Sequence, residues 1–293
     1  YVPIPFNFKS LEILFEEEKS NIIKEKLLAS YPDTKKVSIL DLLDSKDEVI
    51  KEFGEYVYDK VFVHYTAKQW NIPIEQVDTS VINRVPVILG YDDRYFQDKY
   101  QFMPKNGYNE IFENMLSHKN IDIELQKDAK DLLEIKNNKI YVDGLEYKGE
   151  VIYSGALDEL LSYQYGALPY RSLNLEFTDY KENYYQPSSV VNYPNDEKFT
   201  RITEFKYLSN QIVKDNTTIL REYPLTYDYK NSKHIPYYAI LNDENKKLYE
   251  KYYSLVKDIK NFHLCGRLAE YKYYNMDAVI KRALELYREI KGE

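Results

Sequence analysis

The sequence predicts a mixed α/β (α+β) chain, and three observations carry that prediction. Helical periodicity runs from Ser20 to about Lys60. Short strand-like runs separated by turns dominate from Arg171 to about Tyr229, and near the end a hydrophobic run closes on glycine before a loop and an amphipathic helix. That last order, strand, glycine, loop and helix N-terminus, is the kind of crossover found in dinucleotide-binding folds.

Each element has its own justification. "SNIIKEKLLASYP" reads as a helix that must stop before Pro32, because proline has no N–H to continue the ladder. "SKDEVIKEFGEYVYDKVF" opens with Ser45 and Glu48 in capping-box spacing, and its apolar face runs Val49, Ile50, Phe53, Val57 and Val61. "GYNEIFENML" places Tyr108, Ile111, Phe112, Met115 and Leu116 on one stripe of a further helix. "IDIEL" alternates as a strand, and "NKIYVDGLEYKGEVIYSG" reads as a hairpin or meander around an Asp-Gly turn. The runs "SLNLEF", "SSVVNY", "TRITEF" and "TTILREYPL" predict an antiparallel sheet, and "NKKLYEKYYSLVKDI" returns to helix. "FHLCG" is expected as a buried strand, followed by a closing helix whose face is Ile280, Ala283, Leu284 and Tyr287. Asn275 stands where it can cap that helix, with Asp277 in the first turn; such an end favours negative charge on whatever docks there.

Composition narrows the function. The 293 residues carry 48 acids against 40 bases, a net charge of −8, which argues against nucleic acid or an anionic membrane as a partner. An anionic ligand must then be met by local arginines. The single cysteine, Cys265, excludes an internal disulfide framework and reads as a small buried hydrophobe. No run approaches the roughly 18 apolar residues of a membrane span, so no membrane insertion is expected. The chain opens on "YVPIPFNF" without a charged-then-apolar leader pattern, and a cytoplasmic location is expected.

The motifs that would announce a common chemistry are missing: GxGxxG, P-loop, HExxH, CxxC and GxSxG do not occur. His64, His118, His234 and His263 lack metal-site spacing, so no metal is expected. What stands out is a set of arginines beside aromatics, Arg84, Arg94, Arg171, Arg201 and Arg267, together with 32 tyrosines and one tryptophan, Trp70. Guanidinium forks meet diphosphate oxygens in bidentate fashion, and aromatic faces suit sugars and bases. Ion pairing with the abundant acids is the bland role for each arginine, and core filling the bland role for Trp70.

Six segments taken in order resemble one family, the UDP-galactopyranose mutases. They are "YTAKQW" (65–70), "RVPVILGYDDRYFQDKYQFMPKNGYNEIFENML" (84–116), "GALPYRSL" (166–173), "NYPNDEKFTRITEFK" (192–206), "PYYAI" (236–240) and "GRLAEYKYYNMD" (266–277). The resemblance implies interconversion of UDP-galactopyranose and UDP-galactofuranose for cell-surface polysaccharide synthesis, with N5 of reduced FAD attacking the anomeric carbon as UDP leaves. It implies that Arg84 and Arg201 hold the substrate diphosphate, with Arg84 on a mobile loop, and that Tyr95, Tyr238 and Tyr273 hydrogen-bond it. Trp70 would lie near the sugar; Arg267, Tyr274, Asn275 and Met276 would serve the flavin.

The same resemblance implies an FAD-binding Rossmann-like domain, incomplete here, with an inserted helical domain and an antiparallel sheet domain. The expected boundaries are 1–60 for the helical domain, 61–109 with 157–243 for the sheet domain, and 110–156 with 244–293 for the remainder of the FAD domain. The family opens with a GxGxxG strand-turn-helix, and "YVPIPFNF" resembles the segment that follows it. Ile88, Phe102 and Ala239 depart from the family pattern. A homodimer is expected by analogy with bacterial relatives. The alternative reading is a non-catalytic UDP-sugar-binding chain unable to hold FAD; a metal-dependent glycosyltransferase is disfavoured by the lack of a clear DxD motif.

Overall fold

The computed structural model describes residues 1–70, 85–96 and 98–293, with Trp70 described by its backbone alone. The chain is mixed α/β with antiparallel sheets and divides into two compact units, residues 1–111 with 175–224 and residues 112–174 with 225–293.

The first unit starts with the helix Phe8–Leu14, which Asn7 and Ser10 close in a reciprocal capping box. Helices Glu17–Ser30 and Glu48–Val57 follow, as the periodicity predicts, with the short helix Ile39–Leu43 between them. The expected Ser45/Glu48 box is replaced by Asp47, whose carboxylate accepts from the Val49 and Ile50 N–H groups while Ser45 accepts from Asp47 N–H. An aspartate at that position supplies both the acceptor and the charge that a helix start favours. Ile50, Phe53, Val57 and Val61 bury the predicted face against Leu11, Ile23, Leu27, Ile39 and Leu42. A Cβ on Gly54 would stand 2.8 Å from Cβ of Leu42, so this crossing needs glycine. The last helix does not end at Val57 but widens into a π-helix, Tyr58–Thr66, and runs on through Ala67–Trp70.

The sheet of this unit is antiparallel. Val190–Asn192 pairs with Arg201–Glu204, which pairs with Thr217–Thr226; Arg201 lies opposite Asn192 on one side and Glu222 on the other. Fully buried Glu204 holds the sheet to the loop before it, accepting from the N–H groups of Tyr185 and Gln186 at 3.0 Å and from Thr217 Oγ1 at 2.6 Å.

In the second unit Lys139–Val142 and Leu145–Tyr147 form the predicted hairpin, Leu133–Lys136 adds a strand to it that the pattern did not predict, and Val151–Tyr153, read as its continuation, belongs to a different sheet. Asp143 and Gly144 both take positive φ, 50° and 76°, which is the hairpin turn their identities suggest. Val151–Tyr153 and Phe262–Leu264 pair in parallel, and the helix Met276–Lys291 follows the second of them. Tyr238–Ala239 pairs with Tyr170–Arg171 at the start of the strand Tyr170–Tyr180. The core gathers Tyr153, Leu157, Leu168, Tyr170, Tyr252, Val256, Phe262, Leu264 and Tyr271. Tyr252 is fully buried, yet its hydroxyl donates to Gly166 O at 2.6 Å and accepts from Tyr165 N–H at 2.9 Å.

Three readings of apolar pattern are corrected. "IDIEL" is irregular, with Ile121, Ile123 and Leu125 all exposed. Alternation satisfies side chains, but a strand also needs a neighbour for its N–H and C=O groups, and none pairs with this segment among the described residues. The closing helix forms, but its predicted core face, Ile280, Ala283, Leu284 and Tyr287, faces out, and Leu286 is its buried residue. The stripe on Asn109–Leu116 is likewise exposed. Among the described residues no helix is long and apolar enough to cross a membrane.

Candidate functional site

The strand Phe262–Leu264 delivers Cys265, buried as expected, and then Gly266, whose φ of +110° turns the chain sharply out of the sheet. Among the described residues, and apart from its two chain neighbours, the one heavy atom within 4 Å of its missing Cβ is Cβ of Ser154, at 3.8 Å, so backbone is accessible there. Glu270 steadies the turn: its carboxylate accepts from Gly266 N–H and from Arg282 Nε, both at 3.0 Å.

Arg267 comes next and packs against aromatics. Its guanidinium carbon lies 5.2 Å from the Tyr238 ring centre and 4.8 Å from that of Tyr273, and its Nε donates to Tyr274 O at 2.6 Å. The two tyrosine rings are stacked, 5.5 Å apart at 19°. Arg171, buried in its strand, places a second guanidinium 5.2 Å from the Tyr238 ring. Two guanidinium groups over one ring concentrate positive charge and spread it over π-faces that carry partial negative charge.

Tyr274, behind Arg267, has its hydroxyl pKa pushed up to about 12 by burial and by Glu270. Asn275 occupies the N-cap position, but its side chain makes no capping bond, and Met276 begins the helix largely exposed. The first-turn N–H groups of a 16-residue helix thus lack the side-chain acceptor that the sequence offered. Arg267, Tyr238, Tyr273, Tyr274, Asn275 and Met276 are assembled in one unit.

The remaining predicted residues fall elsewhere. Arg201, in the first unit, is partly exposed and donates through Nε to Glu222 Oε1 at 2.7 Å. Tyr95 is exposed and packs edge-on against Phe96. Arg94 takes the bland role, forking onto Asp92 at 2.9 and 2.7 Å and holding that carboxyl down at about 2. Arg84 and the side chain of Trp70 lie outside the described residues. No group of acids, histidines or cysteines suited to a metal occurs among the described residues.

Glu270 and Lys68 were not singled out by sequence, although both lie inside matched motifs. Arg171 was singled out as a charge beside an aromatic, without a partner being predicted. Its neighbour in space, Tyr238, is 67 positions away and reaches it only through the pairing of Tyr238 with Arg171.

A turn out of a parallel strand pair, an arginine beside two stacked tyrosines and a helix N-terminus without a side-chain cap suit an anionic, aromatic ligand of nucleotide type. The comparisons agree in class. Residues 60–273 match the family model for UDP-galactopyranose mutase. The chain is 34% identical over 283 residues to a probable UDP-galactopyranose mutase of Klebsiella pneumoniae, covering 96% of this chain and 69% of that protein. It is 31% identical over 284 residues to the UDP-galactopyranose mutase of Mycoplasma pneumoniae, covering 96% and 71%. It is 33% identical over 286 residues to the dTDP-fucopyranose mutase of Escherichia coli, covering 96% and 72%. A crystal structure of a putative protoporphyrinogen oxidase from Exiguobacterium shares the fold alone, with a TM-score of 0.50, 11% identity and coverage of 94% of this chain and 72% of that one. The chain belongs to the UDP-galactopyranose mutase family, and its enzyme class is isomerase.

Proposed function

We propose that the chain interconverts the pyranose and furanose forms of a nucleoside-diphosphate hexose, UDP-galactose first, using reduced FAD. The observation that carries this reading is the Arg171, Tyr238, Arg267 and Tyr273 cluster at the exit of the Phe262–Leu264 strand. The residues there suit a flavin: Gly266 leaves backbone open to close approach, Arg267 brings a cation, and the helix after Asn275 presents its positive end without a side-chain cap. Arg267, Tyr274, Asn275 and Met276 would hold that group, and this part of the chain would belong to a Rossmann-like FAD domain. Reduced flavin, when bound, would supply a nitrogen nucleophile for the anomeric carbon.

The protein's own residues then have electrostatic work. Arg84 and Arg201 offset the charge that grows on the diphosphate as the anomeric bond breaks, and Tyr95, Tyr238 and Tyr273 donate hydrogen bonds to its oxygens. Trp70 orients the sugar. No side-chain nucleophile or metal is required. The product would feed cell-surface polysaccharide synthesis in the cytoplasm, with the enzyme acting as a homodimer.

A second sugar deserves a parallel assay, because the dTDP-fucopyranose mutase matches the chain as extensively as the UDP-galactopyranose mutases do. Purified chain is incubated with FAD, desalted and examined by visible absorption, then reduced and given UDP-galactofuranose or dTDP-fucopyranose. Retained flavin with ring isomerisation supports the reading, and the sugar consumed selects the substrate. Retained flavin without turnover of either sugar refutes it; UDP binding by a colourless protein supports the binding-only alternative.

A further inference from the structure

One half-buried cation of the first unit has no role in the reading above. Lys68 lies in "YTAKQW", two residues before Trp70, and its ammonium reaches the loop that joins the Val190–Asn192 and Arg201–Glu204 strands. There Nζ donates to the carbonyls of Tyr193 at 2.5 Å, Asn195 at 3.0 Å and Glu197 at 2.9 Å. An ammonium has three N–H donors, so this one loop takes the whole set. Three carbonyl dipoles converging on a point suit a compact ammonium rather than a planar guanidinium. Burial lowers the Lys68 pKa, and the carboxylates of Glu197 and Asp196, which face it, oppose that shift.

The loop so gathered leads directly into Arg201. Tyr193 N–H donates to Thr200 O at 2.8 Å across its mouth, and Asn192 is the ladder partner of Arg201. Tyr65, one helical turn before Lys68, donates its hydroxyl to Asn192 Oδ1 at 2.9 Å. The helix that ends at Trp70 is therefore fastened twice to the hairpin that bears Arg201.

We propose that Lys68 is a positioning residue for the diphosphate arginine: by collecting the carbonyls of residues 193, 195 and 197 it sets the loop that presents Arg201 and ties it to the Trp70 segment. The proposal rests on the nucleotide-sugar reading of Arg201. Its test is UDP affinity, measured by calorimetry and by fluorescence excited to select Trp70, the single tryptophan. Lys68→Met, which keeps the apolar stem and removes the donors, is expected to weaken UDP binding roughly tenfold or more while far-UV circular dichroism at 25 °C is unchanged. Lys68→Arg, which keeps charge but not convergent donors, is expected to recover only part of the affinity, and it carries the test alone if the Met variant does not fold.

Wild-type affinity in folded Lys68→Met, or full recovery by Lys68→Arg, overturns the positioning role while leaving the nucleotide reading intact. Wild-type chain that fails to bind UDP overturns the nucleotide reading and this proposal with it.

Discussion

Asp158 offers the sharpest physical test of the second unit. It sits in the short helix Leu157–Leu160 at 1% exposure, with Oδ2 accepting from Leu168 N–H at 2.8 Å and Oδ1 without a hydrogen-bond partner. Burial is the main cause that raises its pKa from 3.8 to about 6, against the lowering effect of backbone N–H groups. The native state therefore holds the Asp158 proton more tightly than the unfolded chain does. The resulting stabilisation is full below about pH 4 and is lost as the pH rises through about 6. A shift of about two pH units corresponds to about 3 kcal/mol in total, of which roughly 2 kcal/mol falls between about pH 4 and 7. Urea unfolding of wild type and Asp158→Asn, followed by circular dichroism across that range, isolates the effect, because the asparagine cannot ionise. Wild type should lose stability relative to the variant as pH rises. A difference that stays constant with pH would show that Asp158 ionises as an ordinary exposed carboxylate, and the burial reasoning would fail.

Arg201→Ala should weaken UDP binding roughly 10- to 150-fold, and it should also lower stability, because buried Glu222 is left without the Nε donor. Adding Glu222→Gln should restore stability in urea but not affinity in calorimetry; recovered affinity would contradict the ligand role. Arg267→Ala, which deletes both ring contacts and the bond to Tyr274 O, should lower flavin retention after desalting by at least about tenfold. Undiminished flavin absorbance would remove Arg267 from the cofactor site. Replacing Ile280, Leu284 and Tyr287 together by glutamine should change unfolding free energy by less than about 1 kcal/mol, because all three are more than half exposed. A loss several times larger would mean that the stripe is covered in solution.

Local patterns were legible wherever the determinant was local. Helix spans followed from period and from Pro32, and the Asp143-Gly144 turn followed from residues that tolerate positive φ. Family membership was legible because six motifs in register carry far more information than any one of them. Partnership was not legible. The "IDIEL" alternation could not reveal that no strand lies beside it, nor could the period of the closing helix reveal which stripe turns inward.

The same division runs through the candidate site. Sequence by itself determined which residue types are present: arginines among tyrosines, a glycine after a strand, an asparagine before a helix and no metal-binding spacing. Only the tertiary structure decided that Arg171 and Arg267 share the ring of Tyr238, that Arg94 is bound to Asp92 and that the Lys68 ammonium gathers a loop about 125 residues away in sequence. The physical reason is reach. Propensity, capping and turn chemistry act within a few residues, whereas cation–π contacts, buried ion pairs and carbonyl cradles need groups that the ladder brings within about 3 to 6 Å of each other.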